Sequence, residues 1–180
     1  ALAEQAEPGS DSQLQFVTAF ATAAATATQW EQVRRLRDGE TALDGLDIDT
    51  DLSWQLLISL AAGGVATAAH VDDALAQDNT AKGGEFAAQA KAALPNVEAK
   101  LAAWDSLIVR ADQPNTIVRS TALGFTHPAG VALLGEFVTP YFDMLLPIWK
   151  NRSYQIAQYL ITGMYPAALA NTALRDATIA

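Results

Sequence analysis

The chain has 180 residues, enough for one domain with a proper core. Twenty acids against eleven bases leave a net charge of −9, which argues against a nucleic-acid backbone as partner. The absence of cysteine removes disulfides, thiolate metal sites and cysteine nucleophiles, and suits a cytoplasmic protein.

In chain order the signals are helical: apolar residues recur at spacings of three and four, alanine is abundant, and no alternating β-branched run is bounded by hairpin turns. Ser10-Asp11 open a helix to about Thr26, with Leu14, Val17 and Ala21 on one face, and Thr28 to Asp38 follows. The stretch GLDIDTDL (45–52) sets three aspartates two residues apart, as an EF-hand loop does. Counted from Asp47, however, the sixth position is Leu52 and the twelfth is Ile58, where that loop needs Gly and a bidentate Glu. The stretch therefore reads as a helix start, capped by Asp49 or Thr50, leading into a helix over Thr50 to Ala62 that Gly63-Gly64 ends. That helix is apolar nearly all round and is expected to be packed on several sides. Helices near Ala69–Gln77 and Thr80–Ala93 follow, then Val97 to Val109 with Leu101, Trp104 and Ile108 along one side. The next runs from Gln113-Pro114-Asn115 to about Phe125, with a helical turn at Val131–Leu134 beyond His127-Pro128. Phe137 to Trp149 comes next, with Pro140 in its first turn and Pro147 late or at a kink. Ser153 to Met164 presents Ile156, Tyr159, Leu160 and Gly163 inward, and Pro166 starts the last helix, to about Asp176.

This makes nine or ten helices over residues 1–180 with no boundary between domains. The fold class is all-α: helix pairs stacked into a HEAT-like superhelix, with a globular multi-helix bundle as the alternative. Trp54 with Leu57-Ile58 and Trp104 with Leu107-Ile108 stand 50 residues apart in similar settings, without a third copy to establish a repeat. The low-charge runs are broken by Gln, Thr, Gly, His and Pro166 and lack a flanking Lys/Arg bias, so no membrane span is expected. ALAEQAEPGS has no signal-peptide character and no initiator Met, and reads as the start of a processed or excised piece.

Catalytic material is scarce. His70 and His127 belong to no metal motif, no serine lies in G-x-S-x-G, and neither Gly63-Gly64 nor Gly83-Gly84 follows a strand as a phosphate loop would. Glu136 and Asp143, seven apart, would share a helix face, where exposed acids are the ordinary outcome. Tyr141, Phe142, Trp149, Tyr154, Tyr159 and Tyr165 crowd the C-terminal third and are expected mainly in the core. Arg119, Lys150 and Arg152 lie in the same third, the one stretch where bases outnumber acids, and offer cations to a carboxylate ligand.

Three stretches taken in order carry a family resemblance: AEPGSDSQLQFVTAFA (6–21), LDGLDIDTDLSWQLLISLAAGG (43–64) with DDALAQDNTAKG (72–83), and WKNRSYQIAQYLITGMYP (149–166). Together they resemble the C-terminal helical domain of the zinc aminopeptidases of the aminopeptidase N family, in the form found in actinobacteria. The resemblance implies that zinc sits in a separate thermolysin-like domain of the parent, on H-E-x-x-H and a later Glu. A G-x-M-E-N strand there holds the substrate's amine. None of these motifs occurs here, so no cofactor is expected in this chain and it is expected to be inactive alone. Peptide substrates and the parent's own catalytic domain, in cis, become the expected partners. The helical domain would close over the active site and limit which peptides enter, and Arg119 and Arg152 become the candidates to meet the peptide's far end. The other class that the residues leave open is a stand-alone helical scaffold that binds a partner protein in a concave groove.

Overall fold

A computed structural model describes residues 2–110 and 112–179, without the side chains at 173 and 177. Ala1 and Ala180, the ends of the expected domain, lie outside the described residues. The described residues hold eleven α-helices and no strand. They are α1 (Leu2–Gln5), α2 (Asp11–Ala23), α3 (Ala27–Arg37), α4 (Thr50–Ala62), α5 (Ala68–Gln77), α6 (Ala81–Ala93), α7 (Val97–Trp104), α8 (Asn115–Phe125), α9 (Val138–Asn151), α10 (Tyr154–Gly163) and α11 (Thr172–Ile179).

Short polar side chains begin most of them by accepting an otherwise orphaned backbone N–H. Ser10 caps α2, Thr26 and Gln29 form a reciprocal box on α3, and Thr80, Asn96 and Ser153 cap α6, α7 and α10. The aspartate stretch is the start of α4: Asp49 Oδ1 accepts the Leu52 N–H at 2.8 Å.

The even-numbered helices form one row in which α2 packs on α4, α4 on α6, α6 on α8 and α8 on α10. The odd-numbered ones flank it: α3 lies on α4, α5 on α6, and α9 on α10. The α6–α8 crossing is the most extensive, and it needs Gly124, because a Cβ there would overlap the Gln89 carbonyl oxygen. Two apolar clusters result. One gathers around α4, nine of whose thirteen residues are buried, with Val17, Val33, Val71 and Phe86. The other joins Leu107, Val118, Phe125, Tyr141, Met144 and Leu160. Helix α6 is the shared wall, giving Phe86 and Ala90 to the first cluster and Ala92 to the second.

Several expected faces and ends differ. On α2, Gln13 is buried while Leu14 is 40% exposed. The Gln13 amide donates to the Asp44 carbonyl at 3.0 Å and its oxygen accepts the Gly9 N–H, so a polar side chain stitches two loops to the helix. The expected helix over Val97 to Val109 is α7 followed by a wide π turn at Asp105–Val109, closed by the Arg110 N–H on the Asp105 carbonyl. On α7 the buried residues are Lys100 and Ala103, whereas Leu101 points outward. Glu136 sits in a 3₁₀ turn ahead of α9 and shares no helix with Asp143. Pro166 precedes a 3₁₀ turn at Ala167–Leu169, and the final helix starts at Thr172, where the Asn171 side chain accepts the Leu174 N–H. The Trp54 and Trp104 settings are only partly alike. Leu57 and Leu107 are both buried, but Trp54 stacks on Phe86 from inside the row, and Trp104 leans on Phe125 and Phe137 from a flanking helix.

Candidate functional site

The turn Leu94-Pro95-Asn96 folds α7 back beside α6, and the start of α5 and the first half of α8 complete a groove of about 680 Å³. The space exists because its walls are made of small side chains, Ala88, Ala92, Ala99 and Ala102, with Ile117 as a larger apolar contact. Its polar groups are few. Lys91 is neutralised by Asp72, and Glu98, in the first turn of α7, has no partner among the described residues. The hydroxyls of buried Thr121 and half-buried Ser106 likewise meet no hydrogen-bond partner among the described residues. An apolar trench with sparse hydrogen-bonding groups suits an extended chain with small or apolar side chains. Among the described residues that line it, Lys91 is ion-paired and no histidine or second carboxylate stands beside the Ser106 and Thr121 hydroxyls.

The two candidate cations take different positions. Arg119 is exposed on α8 and makes no ion pair among the described residues. It follows Ile117 by two residues, so it projects from a different side of the helix than Ile117 and Thr121, which line the groove. Arg152 is half-buried, and its guanidinium donates to the carbonyls of Ile108 at 3.1 Å and Arg110 at 2.6 Å, closing the end of the π turn. Lys150 is exposed on α9. The aromatic residues divide: Tyr141, Phe142 and Tyr165 surround a second cavity of about 710 Å³, while Trp149 and Tyr154 form an exposed edge-to-face pair. The Tyr141 hydroxyl donates to the Ile161 carbonyl at 2.6 Å, and burial, with Tyr165 adding, pushes it up to about 12.

The histidines are occupied locally. His70 Nδ1 accepts the Thr67 N–H at the start of α5, and His127 Nδ1 accepts the Ala129 N–H at the start of a 3₁₀ turn. Burial, and then the charge of Lys100, hold His127 below its usual range. Among the described residues no three of His, Cys, Asp or Glu are placed to hold a metal. The donor set does not fit zinc, and no chemical step is assigned to this chain through one.

Lys100 was not legible as a special residue. It is fully buried, and its Nζ donates to the carbonyls of Ala92 at 2.7 Å, Phe125 at 3.0 Å and Gly124 at 3.4 Å. These are the C-terminal carbonyls of α6 and α8, where a cation meets the negative ends of two helix dipoles. Burial pushes the amine down to about 8. The available signal was its place on the α7 face, three residues before Ala103 and seven before Leu107, both of them buried.

With that geometry in place, the sequence model of the ERAP1-like C-terminal domain matches residues 1–178. The chain is also 35% identical over 173 residues to aminopeptidase N of Streptomyces lividans, an alignment that covers 96% of this chain and 20% of that protein. The chain thus spans one fifth of the length of that curated relative.

Proposed function

Since the chain belongs to the ERAP1-like C-terminal domain family, we propose that it is the helical domain of an aminopeptidase N, shaping the chamber through which peptides reach a catalytic domain elsewhere in the parent. The observation that carries this reading is the groove between α5–α6 and α7–α8: sizeable, apolar, able to hydrogen-bond, and without a catalytic set. In the parent, zinc would activate water on the catalytic domain, and this chain's residues would position or admit the peptide. The row of even-numbered helices with odd-numbered ones outside supports a HEAT-like superhelix whose inner surface follows the row. Arg119, exposed and unpaired among the described residues, lies outside the groove and would meet a peptide carboxylate only beyond it, on another side of α8. Arg152 would act by holding the π turn in place. The cysteine-free sequence suits the cytoplasm, and no described helix is long and apolar enough to cross a membrane.

The test is made on the parent reading frame, which should encode H-E-x-x-H, a later Glu and G-x-M-E-N upstream of Ala1. In that enzyme Ala102→Trp, which fills the groove, should slow hydrolysis of peptides and leave a single-residue aminoacyl anilide unaffected. Equal rates on peptides for variant and wild type would remove the chamber role. A reading frame without the zinc motifs would favour the scaffold.

A further inference from the structure

Two arginines of α3, one turn apart, have opposite surroundings. Arg34 takes three carboxylates, from Glu31, Asp38 and Glu40, each at 2.8 Å. Arg37, half-buried at the end of the same helix, takes none among the described residues, and its Nε–H is fully buried without an acceptor. In a chain with twenty acids an arginine in that state is unusual, because a buried guanidinium N–H left unpaired costs free energy.

Arg37 lines a cavity of about 360 Å³, walled also by the approach to α4, its first two turns and the end of α5. Two carboxylates face the same cavity. Asp78 is committed on both oxygens, Oδ2 accepting the Trp54 indole N–H and Oδ1 the Thr80 hydroxyl, each at 2.8 Å. Asp49 uses Oδ1 for the Leu52 N–H and has Oδ2 uncommitted among the described residues. Arg37 and Asp49 therefore share one small cavity and do not pair with each other. A simple anion entering it would meet two carboxylates, and a simple cation would meet the guanidinium. A small molecule carrying both charges meets a counterpart on each wall. Ile48, Leu57 and Ala74 supply an apolar side, and the volume is near the lower end, about 300 Å³, of ligand pockets in general.

We propose that the cavity between α3, α4 and α5 binds a free aliphatic α-amino acid, its carboxylate on the Arg37 guanidinium and its ammonium on Asp49. The site uses none of the groove residues and does not depend on the chamber role.

The test is a titration of the ¹⁵N-labelled full chain with L-leucine, followed at the arginine Nε–H and tryptophan indole N–H resonances. Saturable shifts at Arg37 and Trp54, with Arg34 and Trp149 unmoved, are expected at millimolar leucine. Leucinamide, which lacks the carboxylate, and 4-methylpentanoate, which lacks the ammonium, should each bind at least about tenfold more weakly. Arg37→Gln should abolish the leucine shifts, and the ligand series on wild type decides the matter if that variant folds poorly. No saturable shift with leucine would overturn the assignment, as would equal binding of leucinamide or of 4-methylpentanoate.

Discussion

The two ends of the helical row solve the same packing problem with different materials. Around α4 the interior is mainly aliphatic, with Leu52, Leu56, Leu57, Ile58 and Leu60 interleaved with alanines beside the stacked pair Trp54 and Phe86. Around α8 it is aromatic and sulfur-bearing, with Phe125, Tyr141, Met144 and Met164, and its helix ends are held by two cations on backbone carbonyls, Lys100 and Arg152. The first half is held mainly by area removed from water, with Gln13 and Ser59 as its buried polar ties. The second is held also by buried or half-buried cations on carbonyls, in a half that contains irregular pieces: a π turn and three 3₁₀ turns. Where helices are regular, apolar area suffices; where they end in mid-core, their carbonyls need donors.

The contrast can be broken most sharply in the aliphatic half. Leu56, fully buried in α4, is expected to cost about 2–5 kcal/mol when replaced by alanine, read as a lowered denaturation midpoint. A loss well below that range would mean that the α4 cluster relaxes as freely as a surface.

The polar half should show itself in alkali. Lys100 is pushed down to about 8 in the fold against 10.5 for a free lysine. The folded chain releases that proton first, so between these values the unfolded chain binds more protons and stability rises with pH. The Lys100 contribution is least below pH 8 and climbs toward pH 10.5, by at most about 3 kcal/mol. Urea midpoints across that range should rise for wild type and flatten for Lys100→Met. A falling wild-type curve that flattened in the variant would show that the three carbonyls hold the charged amine above its free value.

The smallest effect is expected at the surface of α3. Arg34 draws Glu31 and Glu40 below the usual carboxylate range through its hydrogen bonds, yet all three are solvated and screened. Arg34→Gln should leave the melting temperature within scatter, and a clear drop would make the cluster a cooperative network.

The same contrast decides what could be read from residues. The limits of α4 came out as expected because Asp49 and Gly63-Gly64 punctuate an apolar run, and burial on all sides needs no choice of face. On α7 the choice of face mattered: apolar spacing sets Leu101 beside Trp104 and Ile108, whereas the carbonyls of α6 and α8 draw Lys100 inward and leave Leu101 exposed. Those partners are 8 and 25 residues away, and no local periodicity encodes them. The last helix was placed too early because Pro166 is a familiar first-turn residue, although Asn171 was a readable cap. The groove was invisible because its walls are alanines, which sequence counts as ordinary core. Arg37 is one of three arginines in the last turn of α3, so the sequence there gives it no distinction.

The row also sets how the chain comes apart. Because each even-numbered helix packs on the next, local openings are expected to spread from one helix of the row to its neighbour. Helix α6 belongs to both clusters and is the link through which any such disturbance must cross. Slow amide exchange should therefore be concentrated in α6 and α8, and fast exchange in α11, which leans chiefly on α9.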